Sequence, residues 1–164
     1  MSINADRASL QHALRADPAN AKLHYLLGAE LAQSREYDGA VHELARAIEL
    51  DPQLHTARFQ LGLLHLTMAN TDASLATLRP LESQPDEALR CFARGLAALI
   101  RDDVSVCLEQ LDAGIQANDS NAPLNRDMEM LATKVREHVA SQPQPVAEPE
   151  VIRTDFSLYD QSRR

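Results

Sequence analysis

The chain has 164 residues, 45% of them hydrophobic but only 4% aromatic, a balance of Ala and Leu over rings that favours helices over strands. A formal charge of −8 excludes a nucleic-acid surface, which needs a basic stripe, and no apolar run reaches the ~18 residues of a membrane-spanning helix. The first residues, MSINADRASLQH, lack the basic and apolar regions of a secretory signal. Cys91 and Cys107 are too few for a disulfide framework, so free thiols and a cytoplasmic location are expected.

Residues 8–18 carry Ala8, Leu10, Ala13 and Leu14 at helical spacing, and Asp17-Pro18 ends the run. From Ala13 to Ala47, from Leu10 to Leu44 and from Pro18 to Pro52 the separation is 34 positions each time. The segment is therefore expected to be the second helix of a half repeat spanning 5–20. A full repeat follows at 21–54. Its helix A runs over about 21–34 with Leu27, Gly28 and Leu31; its helix B runs over about 37–50 with Ala40, Leu44 and Ala47, and Pro52 follows. Gly28 and Ala40 are small where two helices must come close.

The second repeat, 55–87, echoes Leu27-Gly28 as Leu61-Gly62 and carries Ser74, Leu78 and Leu81 at the helix B positions. His65 replaces Leu31, and Pro80 lies inside the expected helix B. An interior proline removes a backbone hydrogen bond at a cost of about 3 kcal/mol, which predicts an early stop near Arg79. In the third repeat, 88–121, Gly95 follows Gly62 by 33 positions, as Cys107, Leu111 and Gly114 follow Ser74, Leu78 and Leu81.

Residues 122–140 predict a lone helix that completes a domain of residues 1–140. Asn121 is its N-cap and Pro123 sits in its first turn. Leu124, Met128, Leu131, Val135 and Val139 form its apolar stripe. A stacked-helix array needs such a cap over its last repeat; a homodimer surface is the other use of the same stripe. Residues 141–150 hold three prolines and read as an extended linker. The tail, 151–164, then gathers Phe156, Leu158 and Tyr159, more apolar character than a solvated terminus usually has.

Leu27, Gly28, Leu31, Ala40, Leu44, Ala47 and Pro52, with Gly62 and Gly95 as echoes, resemble the tetratricopeptide repeat, His24 standing in for its usual tryptophan. The resemblance covers about two-thirds of the chain. It implies an all-α fold, a right-handed superhelix of antiparallel helix pairs whose A helices line a concave groove, closed by a capping helix and followed by an extended tail. It also implies that positions three before, one after and four after each repeat glycine face that groove. Here these are Tyr25, Ala29 and Ala32; Phe59, Leu63 and Leu66; and Phe92, Leu96 and Leu99. They amount to an aromatic ladder over an aliphatic floor, and large apolar patches usually mark binding sites; the alternative is that the curvature of the superhelix buries the same residues against neighbouring A helices.

Members of the family that grip a peptide carboxylate place Lys, Asn and Arg at such positions, so a carboxylate clamp is not expected. Proteins that look like this are mostly scaffolds, adaptors and chaperone-like proteins, including the chaperones of bacterial secretion systems. The partner expected is a protein or peptide, with Phe156, Leu158 and Tyr159 of the chain's own tail as one occupant of the groove. A structural subunit docking through its convex face, cap helix or tail is the alternative.

Catalytic and cofactor chemistry find no footing in the sequence. The six histidines show no metal-ligand spacing and the two cysteines lie far apart. There is no glycine-rich phosphate loop and no nucleophile elbow. The expectation is a non-enzyme with no metal or other cofactor.

Overall fold

The computed structural model describes residues 3–142. Among these residues the chain is helical with no strand. The helices are α1 (Ile3–Ala16), α2 (Ala21–Gln33), α3 (Tyr37–Leu50), α4 (His55–Thr67), α5 (Thr71–Leu78), α6 (Glu87–Ile100), α7 (Val104–Ala117) and α8 (Ala122–Ser141). A 3₁₀ turn, Arg79–Ser83, lies between α5 and α6. Helices α2 and α3, α4 and α5, and α6 and α7 pack as successive pairs, and α8 packs on α7.

Each pair is held at the same point. A Cβ on Gly28 would lie 2.8 Å from Leu44 Cγ, one on Gly62 would lie 2.5 Å from Leu78 Cδ2, and one on Gly95 would lie 3.1 Å from Leu111 Cδ2. The glycine of each A helix thus makes room for a buried leucine sixteen positions later. Ala40 and Ala47 are fully buried beside Leu44, so close approach rests on small residues from both helices. In the second pair the Ser74 hydroxyl, at the Ala40 position, donates to the Gly62 carbonyl at 2.8 Å, which satisfies a buried polar group.

The turn inside each pair is also repeated. Arg35, Ala69 and Asp102 adopt φ of 61°, 59° and 61°. Their amides donate to Ala32, Leu66 and Leu99, and the next amides donate to Leu31, His65 and Ala98 at 2.8–2.9 Å. These paired bonds satisfy the last carbonyls of each A helix and reverse the chain within a few residues. Asn20, Asp86, Asp103 and Asn121 cap the N-termini of α2, α6, α7 and α8 by accepting from the backbone three residues on.

Helix α5 ends at Leu78, beside the expected stop near Arg79, and Pro80 sits in the first turn of the 3₁₀ segment. The turn still delivers Leu81 to the core, where it is fully buried. Arg90 donates to the Gln84 carbonyl at 2.7 Å and Arg94 to that of Glu82 at 2.8 Å, so α6 holds the irregular segment in place.

Helix α8 joins the core through Met128, Ala132 and Val135. Its angle is set by amides: Asn118 donates to Asn125 Oδ1 at 2.7 Å and to the Asn121 carbonyl at 3.0 Å, while Asn125 donates to the Asn118 and Ile115 carbonyls. Val139, counted in the apolar stripe, is 47% exposed; the buried stripe ends one turn earlier, where α8 runs past its support.

Candidate functional site: the concave groove

The aromatic ladder is not a surface. Phe59 is 1% exposed, and Phe92 and Leu96 are fully buried. The two rings meet at 6.0 Å between centroids with a 46° tilt, inside the cluster that also holds Leu78, Leu81, Leu89, Leu111 and Met128. Phe92 lies over Gly114, where a Cβ would come within 2.5 Å of its ring. This glycine gives the ring its seat between α6 and α7. The position three before each glycine faces the neighbouring helices here, so Phe59 and Phe92 stack the repeats and do not meet solvent. Tyr25 belongs to a different cluster, around Ala40, Leu44 and Leu61.

The other expected positions divide. Leu66 and Leu99 are half-buried against the same cluster as Phe92. Ala29, Ala32 and Leu63 line a groove of about 300 Å³, joined by Gln33 of α2, Tyr37 and Leu44 of α3, Gln60, Leu64 and Thr67 of α4, and Asp127 of α8. A second hollow of about 440 Å³ adjoins it across α2, sharing Ala29 and Gln33 and adding Ser9, Leu10, Leu26 and Glu30. The recess is thus narrower and more polar than the sequence implies: an alanine and leucine floor, a tyrosine wall, an amide rim and a carboxylate at either end.

Those carboxylates are unengaged. Asp127 is exposed and forms no hydrogen bond or ion pair with another described residue, and Glu30 has a shielded Oε1 with no hydrogen-bond partner. Asp127, Gln60, Thr67 and Tyr37 were not among the expected groove residues. Spacing counted from the glycines finds A-helix positions only, and Asp127 arrives through the placement of α8. Phe156, Leu158 and Tyr159 lie outside the described residues.

Two further hollows lie elsewhere. One of about 630 Å³ runs over α1 and α3 and includes His24 and Glu43. Here His24 Nδ1 lies 2.6 Å from Glu43 Oε2 and Nε2 lies 3.1 Å from the Pro18 carbonyl. A polar bridge thereby replaces the ring packing of the usual tryptophan, and its acidic partner is already committed. The other, about 390 Å³, is rimmed by Glu82, Arg94, Arg101 and Asp103, with Ala98 and Val106 as its apolar members. Of these hollows, the groove across α2 and α4 is the one lined by Ala29, Ala32 and Leu63, three of the positions expected from the repeat glycines.

Burial pushes the His65 pKa below its usual value. The Cys107 thiol is pushed up by burial and by nearby Asp103, the opposite of what a reactive thiolate needs. Neither residue lines the groove. Among the described residues no group of three or more His, Cys, Asp or Glu is arranged to hold a metal ion, and no helix is long and apolar enough to cross a membrane.

The fold is shared with solved structures. A crystal structure of MamA superposes with a TM-score of 0.59 at 22% identity, covering 70% of this chain and 68% of that one. MamA from Desulfovibrio magneticus RS-1, from residue 41 to its end, gives 0.59 at 18% identity over 85% and 82% of the two chains; an RS-1 MamA double mutant gives 0.58 over the same shares. At this identity the likeness shows the fold, an all-α array of the tetratricopeptide-like kind. No protein-family model matches the chain, and no curated protein matches it by sequence.

Proposed function

We propose that this protein is a non-catalytic interaction scaffold whose concave groove receives a protein segment carrying apolar side chains beside a basic one. The observation that carries this reading is the pairing of the Ala29, Ala32 and Leu63 floor with the unengaged carboxylate of Asp127. An apolar floor supplies affinity, and a charge at its edge fixes register and selects partners. Docking through α8 draws less support: Met130 and Val139 are exposed, but nine residues of helix separate them by about 180° around its axis, so they make no single patch.

Affinity capture with three forms of the intact chain tests the proposal: unaltered, Leu63→Arg in the groove, and Val106→Arg on exposed α7. The partners retained by the unaltered chain should be kept by Val106→Arg and lost from Leu63→Arg. Equal recovery by all three forms would contradict a groove function.

A further inference from the structure

We propose that the groove is occupied in the resting protein by the chain's own residues 151–164. This rests on the reading of the groove as a binding surface and names its occupant. Helix α8 carries Asp127 on the groove and extends to Ser141. From Asp127 to Gln142 is fifteen residues, about 22 Å at the ~1.5 Å rise of a helix. Residues 143–150, with prolines at 143, 145 and 149, can cover about 25 Å at ~3.1 Å per residue. The segment beginning at Val151 can therefore return antiparallel to α8 and reach the level of Asp127 before Phe156. From there Phe156, Leu158 and Tyr159 follow within nine residues of Val151.

The chemistry of the segment matches the chemistry of the recess. Phe156, Leu158 and Tyr159 lie between Asp155 and Asp160, with Arg153 beyond them on one side and Arg163 and Arg164 on the other. The floor of Ala29, Ala32 and Leu63 is flanked by Asp127 and Glu30. Arg153 is placed to meet Asp127, with Arg163 or Arg164 toward Glu30 and the apolar residues over the floor. The last twelve residues hold three arginines against two aspartates, and the arginines lie outside the aspartates, where they can reach the unengaged carboxylates at the ends of the groove. Because the segment is tethered, even weak contacts suffice: a linker of this length supplies an effective concentration near millimolar.

The experiment uses the full chain and a full-length variant carrying Phe156→Glu, Leu158→Glu and Tyr159→Glu, with a fluorescent synthetic peptide of residues 151–164 as the probe. Circular dichroism first establishes that both chains are equally helical. If the peptide alone binds with a Kd of about 100 μM, a tethered competitor near 1 mM weakens its binding about tenfold, so the variant should bind it about tenfold more tightly than the unaltered chain. Asp127→Arg introduced into the variant should remove most of that binding. Equal peptide affinity for both chains would overturn self-occupancy while leaving the groove as a surface for other segments. No binding to either chain would also overturn it, and capture by the Leu63→Arg form would then decide the groove reading separately. A photo-crosslinker at position 158 gives the geometry: adducts to residues 29–37 or 60–67 of the same chain support the proposal. Adducts only between isotopically distinct copies overturn it in favour of exchange between molecules.

Discussion

Ala69 sits in the left-handed region at φ 59° with no glycine to ease it. An L-residue in that region costs roughly 1–2 kcal/mol, and glycine returns about 0.5–1 kcal/mol of that in chain entropy. Ala69→Gly should therefore stabilise the protein by about 0.5–1 kcal/mol, read as a higher urea midpoint at unchanged slope. His65 is a second residue at odds with its place, standing where the first repeat has Leu31, with its Nδ1 buried and unpartnered. Burial lowers its pKa in the folded state, so the unfolded chain takes up the proton first as pH falls. The contribution of neutral His65 is whole above the usual value of 6.5 and is lost as pH drops through the lowered folded pKa. His65→Leu should flatten the fall in stability between neutral and mildly acidic pH, measured by denaturant unfolding at a series of pH values. A steeper fall would count against the assignment. Phe92 gives the sharpest contrast between sequence and structure. Its spacing from Gly95 placed it in the groove, yet Phe92→Ala should cost about 3–5 kcal/mol of stability, as a core ring does, where a groove ring would cost binding alone.

At the scale of elements, the period was legible because packing repeats it. Gly28 with Leu44, Gly62 with Leu78 and Gly95 with Leu111 are one contact made three times, and so the glycines could be found by counting. The early end of α5 was legible for a different reason: Pro80 cannot continue a helix. The repeated left-handed turns are not legible in the sequence because Arg35, Ala69 and Asp102 share no residue type; the shared feature is a backbone angle. The attachment of α8 was only half visible. Its N-cap and stripe are in the sequence, but the amide network of Asn118, Asn121 and Asn125 joins groups whose partners depend on the turn between α7 and α8. Asn118→Ala leaves the half-buried Asn125 amide with fewer partners and should cost about 1–3 kcal/mol. Hydrogen exchange in residues 122–141 should accelerate ahead of that in α2–α5. The exposed Arg136–Asp112 pair, 48% exposed on both sides, is worth at most about 1 kcal/mol, so Arg136→Ala should leave the same protection nearly unchanged.

For the whole molecule, the array turns a one-dimensional repeat into one recessed face. Burying Phe59, Phe92 and Leu96 stabilises the stack, and what remains open is small, half polar and acidic at its ends. Under the proposed groove function, a wholly apolar helix would leave Asp127 and Glu30 unmet, whereas a segment with basic residues beside its apolar ones would satisfy both. The groove's lining could not be read from any one repeat, since it joins residues of α2, α3, α4 and α8. The most direct measurement is site-specific photo-crosslinking from the full-length chain, with the crosslinker at Thr67 on the groove and, as a control, at Val106 on the exposed face of α7. Adducts from Thr67 to a segment with apolar and basic residues, and none to that segment from Val106, are predicted. Capture of that segment from Val106 with none from Thr67 would contradict the claim that the concave groove is where this protein binds.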